Sequence, residues 1–441
     1  MEQRPLAGVR VFELSIAIAG PTCGRYLAHF GADVIKVESP TSPDTIRSFG
    51  PFWLGQETHG RQVWVEALSL FNEFSAGKRS VGLNLKHPQG MAAARRLLEH
   101  CDVFLTNYSA PAVAGLGLDA QSMLAWKPDL IHAALPGFGS TLGLPYTDFI
   151  AWGPNQAPLV GFDDLTGWPD RPPCGIGNIS YPDYASGVHA VVALLAALEY
   201  RDRHGTGQAI DLSQFEATVA LLGPHVATIQ QAPPPPAPTR QGNRVPWAAP
   251  QGVYPCRGTE HWLALSVHDD IQWNALCHLA QQDWQHDPRF SSHDQRRAHH
   301  DELDALLSAW TMTHGQHELA QWLQEAGVPA AAVCQTLDLT QDKHVEERGF
   351  YVVGPSGRFA CDLATGNPIR LSATPGGVSR LGPAMGEHTD AVLTELCGYT
   401  TAEVDTMVAG QAVFRMEKPD VKLTRPYLQW VRHMMPQLPW G

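Results

Sequence analysis

Nothing in these 441 residues has the spacing of a metal centre or a disulfide framework. The eight cysteines (Cys23, Cys101, Cys174, Cys256, Cys277, Cys334, Cys361 and Cys397) stand far apart, without a CxxC pair, and no histidine cluster falls at metal-ligand spacing. Scattered thiols in apolar contexts, such as Leu396-Cys397, read as small buried hydrophobes of a reducing compartment. No metal is expected. Long apolar runs are lacking too. None nears the ~20 residues that span a bilayer, and the opening MEQRPLAGVRV has no signal-peptide run, so a cytoplasmic location is expected and no membrane partner. Positive charge is scarce, with 31 Lys and Arg against 44 Asp and Glu, and the net charge of -13 is spread along the chain. That balance excludes a nucleic-acid partner, and an anionic ligand would need a local basic or backbone-amide site. What is present is ordinary for a folded enzyme: 44% apolar residues, and length enough for two domains.

The pattern along the chain is α/β. Residues 8–14 (GVRVFEL) and 32–38 (ADVIKVE) are short β-branched runs, and between them AGPTCGRYLAHFG has helical periodicity opened by Pro and closed by Gly. Further strands are expected at 102–106 and 129–134, after helical segments at 90–100 and 121–126, which extends the alternation to a Rossmann-like parallel sheet. Residues 184–202 (YASGVHAVVALLAALEYRD) predict a helix so apolar that it should be buried, followed by a strand at 208–212. The prolines of QQAPPPPAPTRQGN then mark a boundary, since they favour polyproline II and cannot continue a helix. The expected organisation is a large domain over 1–229, a linker over 230–250, a smaller α/β domain over 251–375 and a segment over 376–441 that returns to the large domain.

A βαβ unit with Gly20, Gly24 and Glu38 at the end of the second strand invites a dinucleotide reading, because that carboxylate can hold a ribose hydroxyl. The spacing is wrong. Ser15-Ile16-Ala17-Ile18-Ala19-Gly20-Pro21 lacks the glycine that lets a pyrophosphate approach the helix terminus, so an ordinary βαβ turn is the better reading.

Blocks of residues in a fixed order are more specific. GVRVFEL, AGPTCGRYLAHFGADVIKVESP, GKRSVGLNLKHPQG (77–90), CDVFLTNYS (101–109), PDLIHAALPGFG (128–139) and PDYASGVHAVVALLAALEYRDRHGTGQAIDLSQFEA follow one another, and then DPRF, AGVPAAAVCQTLDLTQDKHVEERGF and MGEHTDAVLTELCGY. Over about residues 6–415 the chain resembles the class III coenzyme A transferases. That CaiB/BaiF group includes formyl-CoA:oxalate and carnitine CoA-transferases and the related α-methylacyl-CoA racemases. The resemblance implies a large Rossmann-like domain with a small α/β domain, two chains threaded as interlocked rings, and acyl-CoA and a small organic acid as ligands.

By its local sequence Asp183 reads as a helix N-cap, a placement that keeps a carboxylate ionised. The resemblance makes it the catalytic nucleophile. Gly137, Phe138 and Gly139 read by themselves as a plain glycine turn ending a strand; the resemblance implies that their N–H groups face developing oxyanions, with Gly137 and Gly139 in the catalytic set. Ala19, Leu83, Lys86, Asn107, Tyr108, Gly137 and Phe138 match coenzyme-contacting positions, although bottom-up Lys86 is a solvated charge and Tyr108 a half-buried aromatic. The chain departs from its relatives in having Ser39 and Ser109 where basic residues are usual, and Ile18 where the formyl-CoA transferases have glutamine. The coenzyme phosphates are therefore expected to meet Arg79, Lys78 or Arg47. At 242–255, GNRVPWAAPQGVYP replaces a glycine-rich loop, which points to an acid larger than oxalate or formate. Two rival readings stay open. One is a racemase, for which the resemblance would require a histidine where Thr147 stands. The other is a non-catalytic CoA-binding subunit paired with a paralogue.

Overall fold

The computed structural model describes residues 4–47, 69–141, 143–175, 180–230, 240–354 and 362–416. The chain divides into two units. One is formed by Met1–Gly161, Gly177–Pro235 and Gln341–Gly441, and the other by Phe162–Ile176 and Pro236–Thr340.

The first unit is built on a seven-stranded sheet in the order β12-β3-β2-β1-β4-β5-β6. Its strands are β1 (Arg10–Leu14), β2 (Asp33–Glu38), β3 (Arg79–Leu83), β4 (Val103–Thr106), β5 (Ile131–Ala134), β6 (Ala209–Asp211) and β12 (Val413–Phe414). Every pairing is parallel except that of the edge strand β12 with β3. A parallel sheet must be covered on both faces, and β1 shows how the sequence meets this. Val11 enters one apolar cluster with Val34 and Ile131, while Phe12 and Leu14 enter another with Ile35, Val81 and Phe104. β3 was not foreseen, because RSVGL is too short and mixed to announce a strand. It displaces the expected third and fourth strands to fourth and fifth.

Helix α1 (Ala19–His29) connects β1 to β2, α2 (Pro88–Glu99) follows β3, and α3 (Gly153–Leu159) follows the loop after β5. The long apolar segment is α4 (Tyr181–His204). It lies so close to α1 that a β-carbon on Gly187 would stand 2.7 Å from Thr22 Cβ and 2.8 Å from the Ala19 carbonyl oxygen. The expectation that this helix is wholly buried is corrected. Ser186, Gly187, Ala190, Leu194, Ala197 and Leu198 are buried, whereas Val188, Val192 and Leu195 form an exposed stripe, Val192 at 66% exposure. A helix on a sheet buries only one face, and apolar composition does not say which residues that face holds.

The second unit carries an antiparallel sheet of β7 (Gln251–Pro255), β8 (Trp262–Ser266) and β9 (Ala330–Ala332). Helices α5 (Asp270–Ala280), α6 (His300–Thr311) and α7 (Gln316–Glu325) cover it around Trp273, Leu276, Phe290 and Leu303. Two expected boundaries shift. Residues 162–176 belong to this smaller unit, and the chain rejoins the large unit at Gln341 rather than at 376. The hairpin of β10 (Tyr351–Gly354) and β11 (Asp362–Thr365) is tied there by Arg25, which donates to the Thr365 carbonyl at 2.8 Å, and by Glu73, which accepts the Thr365 N–H at 2.9 Å. Of the expected linker, 231–239 lies outside the described residues, as does the tail from 417. Among the described residues no helix is long and apolar enough to cross a membrane.

Candidate active site

The turn from Ser15 to Ile18, which leaves β1 and enters α1, is held from several sides. Asn107, just past β4, accepts the Ile16 N–H at 2.9 Å and donates to the Ile16 carbonyl at 2.8 Å. Asp44 accepts the N–H of Ala17, a non-glycine residue at φ 58°, at 2.8 Å. Lys36 Nζ donates to the Ser15 carbonyl at 2.8 Å and pairs with the second oxygen of Asp44 at 2.7 Å. Lys78 Nζ pairs with Glu13 at 2.7 Å. All four charged side chains are inaccessible to solvent or nearly so. Burial pulls the Lys36 ammonium down, but Asp44 and Glu13 outweigh it and hold it above its ordinary value, whereas burial brings Lys78 down to about 8. Such groups persist in a core only when fully paired, as here, and the pairing holds the backbone of the turn in a conformation that non-glycine residues avoid.

Asp183 meets the end of that turn. It is the third residue of α4, whose N-cap is Ser180, so the expectation that Asp183 is the N-cap is off by three residues. The side chain is 8% exposed. Its own backbone N–H, the N–H of Ala19 at the start of α1 and the Ser180 side chain lie near the carboxylate and pull its pKa down. Burial pushes its pKa up to about 6, against the opposing pull of those donors. The simple expectation of a fully ionised cap is thereby corrected: desolvation wins, and the group is ionised only above about pH 6. Gly153, the first residue of α3, packs against it without a side chain; a β-carbon there would stand 2.3 Å from Asp183 Oδ2.

Asp183 opens into a cavity of about 980 Å³ walled by residues of the large unit. Among the residues picked out in the sequence, Asn107, Tyr108, Gly137, Phe138 and Asp183 line it together. Ala19 is not among the wall residues, although its N–H helps to pull the Asp183 pKa down. The others lie elsewhere. Gly139, at φ 86°, sits against Asp211, whose carboxylate accepts the Ser140 N–H at 2.7 Å. Leu83 is 1% exposed in the core and pairs with Val413, and Lys86 is an exposed side chain beyond it. The phosphate-binding expectation is also corrected. Lys78 is buried against Glu13, Arg47 makes two 2.8 Å contacts to Glu38 with its guanidinium over the Phe71 ring, and Arg79 is bonded to Asp33. Lys78 and Arg47 are buried in their pairs, while Arg79 is partly exposed and meets Asp33 through two of its nitrogens. Glu38, considered above for a ribose hydroxyl, is spent on Arg47 in the same way.

Sequence reasoning missed Gly153, Ser180 and Gln214 as walls, and Asp44 and Lys36 as supports. The Gly153-Pro154 pair, a common opening of a helix, was the one local signal that a backbone approaches something closely there. Asp44 sits in a polar stretch, ESPTSPD, that reads as surface loop. Thr147 stands in the cavity wall, donating to the Thr141 carbonyl at 2.7 Å, and no histidine is found among the described wall residues.

Comparison with known proteins agrees with the resemblance. Residues 6–389 match the CoA-transferase family III pattern. The chain is 34% identical over 412 residues to the succinyl-CoA–D-citramalate CoA-transferase of Chloroflexus aurantiacus, covering 93% of this chain and 98% of that one. It is 33% identical over 396 residues to the succinate–glutarate CoA-transferase of Agrobacterium fabrum, covering 89% and 96%. A crystal structure of a CAIB/BAIF family protein from Brucella suis superposes with a TM-score of 0.80 at 30% identity, covering 90% of this chain and all of that one. The chain is a CoA-transferase and belongs to CoA-transferase family III.

Proposed function

We propose that this enzyme exchanges coenzyme A between an acyl-CoA and a free carboxylic acid by parking the coenzyme on Asp183. The observation that carries the reading is the Asp183 carboxylate, nearly buried at the wall of the cavity with Gly153 packed against it. Its oxygen attacks the donor thioester carbon, and the C–S bond breaks to give a mixed anhydride and the coenzyme thiolate. The thiolate then attacks the aspartyl carbonyl, expelling the donor carboxylate and leaving an aspartyl-CoA thioester. The acceptor carboxylate attacks that thioester and releases the thiolate once more. In the final step the thiolate attacks the acceptor's own acyl carbonyl, which returns Asp183 as a carboxylate. Each step trades bonds of similar energy, so no ATP enters. The N–H groups of Gly137 and Phe138 at the cavity wall are the proposed oxyanion donors, a role in which losing one donor costs ~3–4 kcal/mol of barrier. Because an anhydride hydrolyses readily, water must be kept from this site during the exchange.

The test is chemical. Mixing the protein with an acyl-CoA donor and no acceptor should add the mass of CoA, less water, and hydroxylamine should convert the adduct to a hydroxamate on the peptide holding Tyr181 to Tyr184. A racemase would instead wash solvent deuterium into the α-carbon of a 2-methylacyl-CoA without any adduct, and that result would overturn the reading. Two-base chemistry is disfavoured by Thr147 in the cavity wall, which supplies no imidazole.

For the assembly we propose the interlocked homodimer that the resemblance implies. The stripe of Val188, Val192 and Leu195 on α4 supports it, being an apolar face that the single chain leaves uncovered. A concentration-independent monomer in sedimentation would count against it.

A further inference from the structure

Resting on the reading of Asp183 just given, we infer that the acid exchanged here has an uncharged apolar body, that of a branched-chain or aryl monocarboxylic acid, and that the cavity discriminates against dicarboxylic acids of equal length. Two apolar walls line it. On one, Ala17, Ile18 and Leu70 continue a small cluster made by Ile46, Phe71 and Phe74. On the other, Phe138 joins rings with Tyr146, Phe149 and Phe215 at 5.4, 6.4 and 5.8 Å. Phe149 and its neighbour Ile150 are 58% and 76% exposed, apolar surface that an acyl group would cover.

Several polar groups of the walls are already used within the protein, although the buried Thr45 hydroxyl has no hydrogen-bond partner among the described residues. Both ends of the Asn107 amide are spent on Ile16, Thr147 donates to Thr141, and Gln214 donates to the Leu135 carbonyl at 2.7 Å. Among the described wall residues the titratable side chains are Asp183 and Tyr108, and none is Lys, Arg or His. A second carboxylate at the far end of a succinyl or glutaryl group would therefore lose its water, find no cation among the described wall residues and stand near the anionic Asp183. An alkyl or aryl end meets no such cost and gains by leaving water. The cavity, at about 980 Å³, exceeds what a formyl or oxalyl group needs.

Matched pairs of thioesters isolate the terminal charge: butyryl-CoA against succinyl-CoA, and valeryl-CoA against glutaryl-CoA, with phenylacetyl-CoA as the aryl member. The rate of CoA adduct formation on Asp183, followed by mass spectrometry, should be about tenfold or more higher for the uncharged member of each pair, the scale set by leaving one charge unpaired. Phe149→Arg, at the exposed rim, should move the ratio toward the dicarboxylic thioesters. Equal or faster reaction of succinyl-CoA and glutaryl-CoA overturns the inference and leaves Asp183 as nucleophile. Undiminished CoA exchange with no adduct from any thioester would instead remove the Asp183 reading. Calorimetric binding of the same pairs to Asp183→Asn reads the preference apart from the chemistry, and tighter binding of the dicarboxylic members there also overturns it.

Discussion

Gly153 stands against Asp183 with no room for a side chain: a β-carbon at position 153 would lie 2.3 Å from the carboxylate oxygen and 2.6 Å from Ser180 Cβ. The first residue of one helix thus fixes where the carboxylate of another can be. Gly153→Ala must push Asp183 or the start of α3 aside, and a displacement on the order of 1 Å at a reacting group costs ~10²-fold in rate. We expect kcat to fall by about that factor with near-native thermal stability, because the strain is confined to the cavity wall. Wild-type turnover by Gly153→Ala would show that the tight approach has no part in the chemistry.

Asp183→Asn and Asp183→Ala are expected to abolish exchange, since neither can form the anhydride. Their stability should respond to pH with a definite sign. A carboxyl group raised to about 6 in the folded chain binds its proton more tightly there than in the unfolded chain. Its contribution is therefore fully present below the unfolded value near 4, and is lost as pH rises through about 6. Above that pH the buried anion opposes folding by on the order of 2–3 kcal/mol, so Asp183→Asn should be more stable than wild type at pH 8 and gain little at pH 4. Denaturant unfolding of both proteins at the two pH values checks this, and an Asn variant destabilised equally at both would contradict it.

The same titration governs activity. A nucleophilic carboxylate must be ionised, so kcat/KM for the first half-reaction should be level above about pH 6 and fall tenfold per pH unit below it. A profile that stays flat down to pH 4.5 would mean that the nucleophile has the pKa of an ordinary surface aspartate.

Asp44→Asn tests the support beneath the turn. The amide can still accept the Ala17 N–H, but Lys36 loses its 2.7 Å partner inside the core. Breaking a buried pair in this way costs ~3–5 kcal/mol. Removing both charges, as Lys36→Met with Asp44→Asn, should recover part of that loss. A double-mutant cycle on unfolding free energies measures the coupling, and strict additivity would argue that the pair is not a unit.

Much of this was legible along the chain. The β-branched runs around the first helix, the glycine after it and the apolar segment before the proline stretch specified a βαβ sheet, and blocks in a fixed order identified the family and singled out Asp183, Asn107, Tyr108, Gly137 and Phe138. All five meet at one cavity. The sequence misled where a residue's environment is set by elements far away in the chain. Lys78, Arg79 and Arg47 read as available cations until β1, β2 and the turn after β2 brought Glu13, Asp33 and Glu38 to them. Leu83 and Gly139 lie in matching segments but face a core and a carboxylate rather than the cavity.

The sequence by itself determined the βαβ alternation, most of its strands and helices, and the family, because periodicity and motif are local properties of the chain. Only the tertiary structure decided the protonation of Asp183 and the character of its cavity. Burial raises the carboxylate's pKa while the Ala19 N–H opposes the rise, and the apolar walls come from Ile18, Leu70, Phe138 and Phe149, which are far apart in sequence. Desolvation depends on what surrounds a group in space, and no local pattern records that.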